Sequence, residues 1–275
     1  MIVPAAATTL QLIDSHCHLH DTEFYPDPVQ QQVIYQRALD AGVGMICVGT
    51  DQRSSQQAVA FAATHPATWA AVGVHPHEAS HGWSGIAALL EQATSDDSPI
   101  VAIGEIGLDY YYNHSPRQVQ IAALEAQIQL AVDYNVPISF HVRDGAAGQV
   151  SVWDDFWPIF DNFRGVRGVL HSFTDTTTNL EKGLARGLLV GLNGISTFTK
   201  DPNQLELYRS LSPETVIFET DAPFLTPKPF RGKLNEPGYV RIIAEYWAAQ
   251  WQLPIEQLAA MTTATTRTLF HLNHT

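Results

Sequence analysis

Two cysteines in 275 residues are too few for a disulfide framework. Both, Cys17 and Cys47, lie in apolar, strand-like stretches, which suits a reducing compartment. No run approaches the roughly 18 uninterrupted apolar residues that a membrane span needs. Residues 1–9 carry no basic side chain and are too short for a secretory signal with its flanks, so they read as an untethered tail. The expected location is the cytoplasm, with no membrane association and no obligate protein partner implied. Basic residues are also scarce: 15 Lys and Arg stand against 28 Asp and Glu, a net charge of −13. That excludes loose, sequence-independent binding to a polyanion through a basic surface. It leaves room for a nucleic-acid enzyme, because bound divalent cations reverse the potential inside one pocket of an acidic protein. Linkers, charge runs and low-complexity segments are absent too, so residues 1–275 read as a single domain.

What is present starts with Leu12-Ile13-Asp14-Ser15-His16-Cys17-His18-Leu19-His20. In an extended backbone successive side chains alternate faces, so His16 and His18 point one way and Cys17 the other. Two imidazoles at the end of a strand are a start on a metal site. Alone they are equally a histidine pair on a surface turn.

Further short apolar runs follow at residues 45–48, 69–74, 100–103, 137–140, 166–170, 188–192 and 215–218. Helical patterns alternate with them at 28–40, 54–64, 85–93, 116–134, 153–163, 179–186 and 203–210, and two more close the chain at 237–249 and 254–270. Fully apolar short strands suit parallel pairing under helices on both faces. Eight β–α units in this length read as a (β/α)8 TIM barrel, of the α/β class, with a doubly wound open sheet as the competing layout.

Chemistry-bearing residues recur where those strands end: His16 and His18, His75, Glu105, His141, His171 and Asp221. A barrel gathers the C-terminal ends of its strands at one mouth, where active sites sit. The mixed imidazole and carboxylate set accepts zinc, manganese or magnesium without choosing among them. There are more donors than one ion needs, so two divalent ions sharing Glu105 as a bridge fit best, an arrangement suited to in-line displacement.

The same residues carry a family resemblance. Asp14-Ser15-His16-Cys17-His18, Val72-Gly73-Val74-His75-Pro76-His77, Gly104-Glu105-Ile106-Gly107-Leu108-Asp109-Tyr110-Tyr111, Phe140-His141-Val142-Arg143-Asp144, His171-Ser172-Phe173, Glu219-Thr220-Asp221-Ala222-Pro223-Phe224-Leu225 and Arg231-Gly232-Lys233-Leu234-Asn235-Glu236-Pro237 occur in this order. In that combination the chain resembles the TatD family of metal-dependent deoxyribonucleases, among the amidohydrolase-like barrels. The resemblance implies that His16, His18 and Asp221 hold one ion, that Glu105 bridges, and that His141 and His171 complete the second. It implies that His75 lines the pocket near a substrate phosphate, and that the activity is removal of nucleotides from DNA ends, chiefly 3′ to 5′. Two departures touch loops beside the mouth: Tyr112-Asn113-His114 stands where the family often has a basic residue, and Gly145 stands for the usual Ala.

The expected reaction is hydrolysis of a phosphodiester by an activated water, with Asp221 and Glu105 as catalytic carboxylates and Asp221 accepting the water's proton. Arg143, Arg231, Lys233 and Asn235 are candidates for gripping substrate phosphates, the arginines because a planar guanidinium meets two oxygens at once. Tyr110, Tyr111, Phe173 and Phe224 are candidates for stacking on bases of single-stranded or frayed DNA. Asp109 reads as a partner that orients a ligand histidine, and Glu219 as either an orienting or a structural group. His65, His81, His271 and His274 read as solvated. The alternatives are an amidohydrolase acting on a C–N bond, an aminoacyl-ester deacylase with the same ligands, and a non-catalytic binding module. Glu105 without a nearby lysine at strand four disfavours the first.

Overall fold

The computed structural model describes residues 11–92, 98–146, 148 and 150–272. Eight strands form one all-parallel sheet in sequential order. They are β1 (Leu12–Cys17), β2 (Val43–Val48), β3 (Thr68–Val72), β4 (Ile100–Asp109), β5 (Ile138–Arg143), β6 (Gly168–Leu170), β7 (Leu189–Leu192) and β8 (Val216–Phe218). Between them run α1 (Pro28–Asp40), α2 (Gln52–Thr64), α3 (Ser84–Gln92), α4 (Arg117–Asp133), α5 (Trp153–Asp161), α6 (Thr177–Ala185), α7 (Ile195–Phe198) and α8 (Pro202–Ser210), and α9 (Val240–Trp251) and α10 (Ile255–Phe270) follow.

An open sheet would leave β1 and the last strand unpaired. Instead Cys17 pairs in parallel with Ala222, just past β8. Around that bridge, Ser15 Oγ donates to Phe218 O at 3.0 Å. His18 N–H donates to Ala222 O at 2.8 Å and Asp221 N–H to His16 O at 2.9 Å. The sheet is therefore a closed (β/α)8 barrel, and the doubly wound alternative is excluded.

Alternation along the strands divides the apolar residues between two cores. Ile13, Ile46, Val48, Ala71, Ala102, Val169 and Ile217 form one cluster, joined by Phe270 at the end of α10 and Leu272 just past it. Their strand neighbours, such as Met45, Cys47, Ala70, Val72, Ile103 and Phe218, belong to the larger cluster shared with the helices. Local chemistry starts several helices. Asp27 caps α1 through Val29 N–H ahead of Pro28, and Asp51 caps α2 with Ser54 reciprocating. Pro116 stands at the N-cap of α4 rather than inside its first turn.

Several elements depart from the sequence reading. β4 continues to Asp109, because Gly104 and Gly107 lie within the strand instead of ending it. A Cβ on Gly107 would lie 1.7 Å from His141 O, so glycine is what lets β4 and β5 pair at that point. β3 stops at Val72, and a 3₁₀ turn, Pro76–His81, follows it. The segment from residue 237 is a 3₁₀ turn, Pro237–Tyr239, before α9 begins. The short α7 carries no amphipathic signal. The tail at residues 1–9, residue 93 and His274 lie outside the described residues.

Asp14 ties the closing seam. Its fully buried carboxyl accepts Thr220 N–H at 2.8 Å, Thr220 Oγ1 at 2.5 Å and His16 N–H at 3.2 Å. Asp14→Ala strands these donors inside the protein, and we expect it to lower unfolding free energy by about 3 kcal/mol. Urea unfolding checks this, and a loss below about 1 kcal/mol would show that the seam does not depend on Asp14.

Candidate metal centre

The strands deliver their polar residues to one end of the barrel. His16 lies within β1, one residue before its end at the closing seam, instead of following the strand as the sequence suggested, and His18 comes just after it. Glu105 projects from the middle of β4 and His141 from within β5, so neither lies past a strand end as the sequence suggested. His75 and His171 follow β3 and β6, and Asp221 lies just beyond β8. Asp221 and Ser172 adopt left-handed backbone, φ 58° and 50°, uncommon for residues other than glycine and concentrated where sites impose constraint.

Every one of these side chains meets a neighbour. His16 Nε2 lies 3.4 Å from Glu105 Oε2 and 3.8 Å from Asp221 Oδ1. His18 Nε2 is 3.4 Å from Asp221 Oδ1. His171 Nε2 is 3.7 Å from both Glu105 Oε1 and Asp221 Oδ1. His141 Nδ1 is 2.8 Å and His75 Nε2 3.7 Å from Glu105 Oε1. The imidazoles of His16 and His171 stack at 3.6 Å.

The nitrogens facing away from this centre have acceptors. His18 Nδ1 donates to Val48 O at 2.7 Å, because a carbonyl can only accept. His16 Nδ1 meets Ser139 Oγ at 3.1 Å. His171 Nδ1 stands 2.9 Å from Glu219 Oε1, off the line of a good hydrogen bond, and Ser172 N–H donates to the same oxygen at 2.6 Å. A Cβ on Gly191 would fall 2.4 Å from the Glu219 carboxylate, so the missing side chain makes its room. His141 Nε2 donates to Asp109 Oδ2 at 3.0 Å. Asp109 also accepts His77 Nε2 and the backbone N–H groups of Tyr111 and Tyr112. Such outer partners fix the tautomer of a ligand histidine and turn the other nitrogen's lone pair inward.

His75 is wired the other way. Its Nδ1 accepts the N–H of His77 at 3.1 Å, so in the neutral ring Nε2 carries the proton and is a donor. Burial, then the charge of His141, holds His75 well below the usual imidazole range. Burial likewise depresses His16, with His171 adding to it. Burial opposes charge on His141 and His171, but the carboxylates around them win. Asp109 and Glu105 raise His141 to about 9, and Glu219 and Glu105 raise His171 to about 10. Burial pushes Glu105 up, yet His75, His16 and His141 hold it well below the carboxylate range. Asp221 is lowered against burial by His18, His171 and His16.

This donor set fits a divalent cation. His16 Nε2 is fully buried with no hydrogen-bond partner. Its 3.4 Å separation from Glu105 is too long for a hydrogen bond. It matches the spacing, about 3.4 Å, of ligand atoms on a tetrahedral ion with bonds of about 2.1 Å. Three overlapping groups could hold metal among the described residues: His16–His171–Asp221, His16–His18–Glu105 and His75–Glu105–His141. Glu105 belongs to two of them.

A cavity of about 570 Å³ opens above the cluster, walled by Phe24, His77, Tyr112, Arg143, Thr174 and Phe224 among others. Of the expected substrate-binding residues, His75 and Arg143 line it, while Arg231 and Lys233 stand outside on the exposed loop after β8. Arg231 donates to Thr226 O and lies over the Phe198 ring. Asn235 is a correction. It is fully buried and its amide donates to Thr220 O and Phe224 O, so it shapes the loop and presents nothing to a ligand. Tyr110 and Phe173 are also buried and unavailable for stacking, and the Tyr110 hydroxyl donates to Asp155. The sequence reading missed Ser139, the Val48 carbonyl and His77. Only His77 had a signal, its one-residue spacing from His75.

The TatD related DNase family model matches residues 13–271. The 3'-5' ssDNA/RNA exonuclease TatD of Salmonella typhimurium is 35% identical over 268 residues, covering 95% of this chain and 99% of that protein. The uncharacterized metal-dependent hydrolase YabD of Bacillus subtilis is 30% identical over 262 residues, covering 95% and 100%. Among solved structures, the TatD homolog YJJV of Escherichia coli K12 superposes with a TM-score of 0.84 at 24% identity, covering 96% of this chain and 99% of that one.

Without metal, His141 and His171 carry protons at pH 7.5, and a ligand imidazole must be neutral. Both folded pKa values exceed the ordinary 6.5. The stability these charges give the metal-free protein is therefore complete below pH 6.5 and lost as pH rises through about 9 to 10. Divalent-cation affinity should accordingly rise over that window, with proton release on binding. Titration calorimetry in buffers of different ionisation enthalpy measures both, and pH-independent affinity between 6.5 and 9 would contradict the assignment.

Proposed function

The chain belongs to the TatD related DNase family, and from that premise we propose that it is a divalent-metal-dependent hydrolase that removes nucleotides from the 3′ end of single-stranded DNA or RNA. The observation that carries this reading is the convergence of inward-facing imidazole nitrogens on Glu105 and Asp221 at the floor of the cavity. Two cations fit the donor set. His16, His18 and Asp221 would hold one, His141 and His171 the other, and Glu105 would lie between them. Bound divalent cations lower the pKa of water and offset the charge of phosphate oxygens.

The chain's own residues do the rest. Asp221, lowered in pKa and in contact with His18, is anionic and takes the proton of the attacking water on its carboxylate. His75 Nε2–H faces the same floor and donates to a non-bridging oxygen of the scissile phosphate. Arg143, exposed at the mouth, meets a neighbouring phosphate. Cys17 and Cys47 are free and buried, consistent with the cytoplasm, and no helix among the described residues is long and apolar enough to cross a membrane.

Metal-loaded protein should release mononucleotides from a single-stranded oligonucleotide, and a chelator should stop it. Glu105→Gln should cut turnover by at least about 100-fold, the upper end of what loss of an outer partner costs. Intact DNA and RNA beside hydrolysis of a dihydropyrimidine or an aminoacyl ester would overturn the nuclease assignment.

A further inference from the structure

Phe224 offers a feature that metal binding does not explain. Among the described residues the large exposed apolar side chains are Val29, Val33, Tyr111, Tyr112, Val150, Phe224 and Leu234. The three aromatic ones stand around the mouth of the cavity or directly beside it, and the two sides of that mouth differ. On one, the Arg143 guanidinium lies over Tyr111 at 4.4 Å and Tyr112 at 4.8 Å, and Tyr112 stacks on His114 at 5.7 Å and 14°. Those rings already have partners and present a cation. On the other, Phe224 is 46% exposed. Its ring contacts are edge-on, with Phe24 at 5.1 Å and 79° and with His18 at 6.4 Å and 67°. Among the described residues no ring or cation stacks on its face.

The backbone that carries the ring is also held in place. Phe224 N–H donates to Asp221 O at 2.8 Å, and Phe224 O accepts the buried Asn235 amide at 2.5 Å. Leu225, next in the chain, adopts left-handed backbone at φ 55°. The hydrogen bond to Asp221 sets the platform's position relative to the candidate metal ligands. An exposed aromatic face on an anchored backbone, beside a floor that would hold cations, fits a planar group joined to a phosphate.

We propose that Phe224, braced by Phe24, is a stacking platform for the nucleobase adjoining the scissile phosphate, so that recognition requires a base there while Arg143 holds the backbone across the mouth. This rests on the nucleic-acid reading above and adds a specificity-determining residue to it. Stacking of a base on an aromatic side chain tolerates sequence, because every base has a π-face.

The test uses the metal-loaded full chain and three single-stranded oligonucleotides: one intact, one abasic at its 3′-terminal residue and one abasic at the next. Phe224→Ala should raise KM on the intact strand about 10-fold, acting on KM more than on kcat, and Phe224→Trp should restore it. One of the abasic strands should show the same penalty with wild type and no further penalty with Phe224→Ala. In a Glu105→Gln background, 2-aminopurine at that position should be quenched on binding, and Phe224→Ala should remove the quenching. Unchanged KM, or equal losses on all three strands, overturns the platform while leaving the nuclease standing. A change of oligomeric state in Phe224→Ala with unaltered kinetics assigns the ring to a contact between copies and also overturns it. Wild type that leaves every strand intact removes the nuclease reading and the platform together.

Discussion

The site depends on which nitrogen of each imidazole is already committed. A neutral histidine has one lone pair to give, and its outer hydrogen bond decides where that pair points. His18 is fixed by the Val48 carbonyl and His16 is held at Ser139. His171 is set against Glu219, and His141 against Asp109. Three of these rings face inward through Nε2, and His141 through Nδ1. His75 accepts at Nδ1 instead, which makes it a donor beside ligands of otherwise similar appearance. One residue type thus fills two chemical roles in one cavity, separated only by the hydrogen-bond partner behind the ring.

Those partners are far apart in the chain, so the wiring depends on closing the barrel. Asp14 and Thr220 are 206 residues apart, yet they meet across the seam that also carries His16, His18 and Asp221. The main chain of His16 accepts the N–H of Asp221, so two donors to the same centre are joined through their backbones. Register error at that seam would separate the two donors. The buried carboxyl of Asp14 acts on the site through position alone.

Much of the architecture was legible because it repeats. Short apolar strands alternate with helical patterns, and the polar residues recur at the same place in each unit. What escaped the sequence has identifiable causes. The sequence reading ended the fourth strand at Ile103, whereas β4 runs on through Gly104 and Gly107 and passes close to β5 at both, so Glu105 lies inside a strand. A polar loop residue reads as a surface group, but Asn235 is spent on two backbone carbonyls. Adjacent aromatics give no sign of which is buried, and Tyr110 packs inward while Tyr111 stays out. The Val48 carbonyl has no signature at all, since every residue carries one.

The net charge of −13 fits a particular style of binding. Electrostatic attraction over the whole surface is unfavourable for a nucleic acid, so affinity has to come from the mouth. Arg143 lies over two tyrosines at the opening, and just outside the cavity the exposed loop after Asp221 carries Lys228, Arg231 and Lys233 with no acid between residues 222 and 235. On the proposed reading, a strand is held where it is cut and repelled elsewhere. A shed mononucleotide, with few contacts left, then faces an acidic surface that favours its departure.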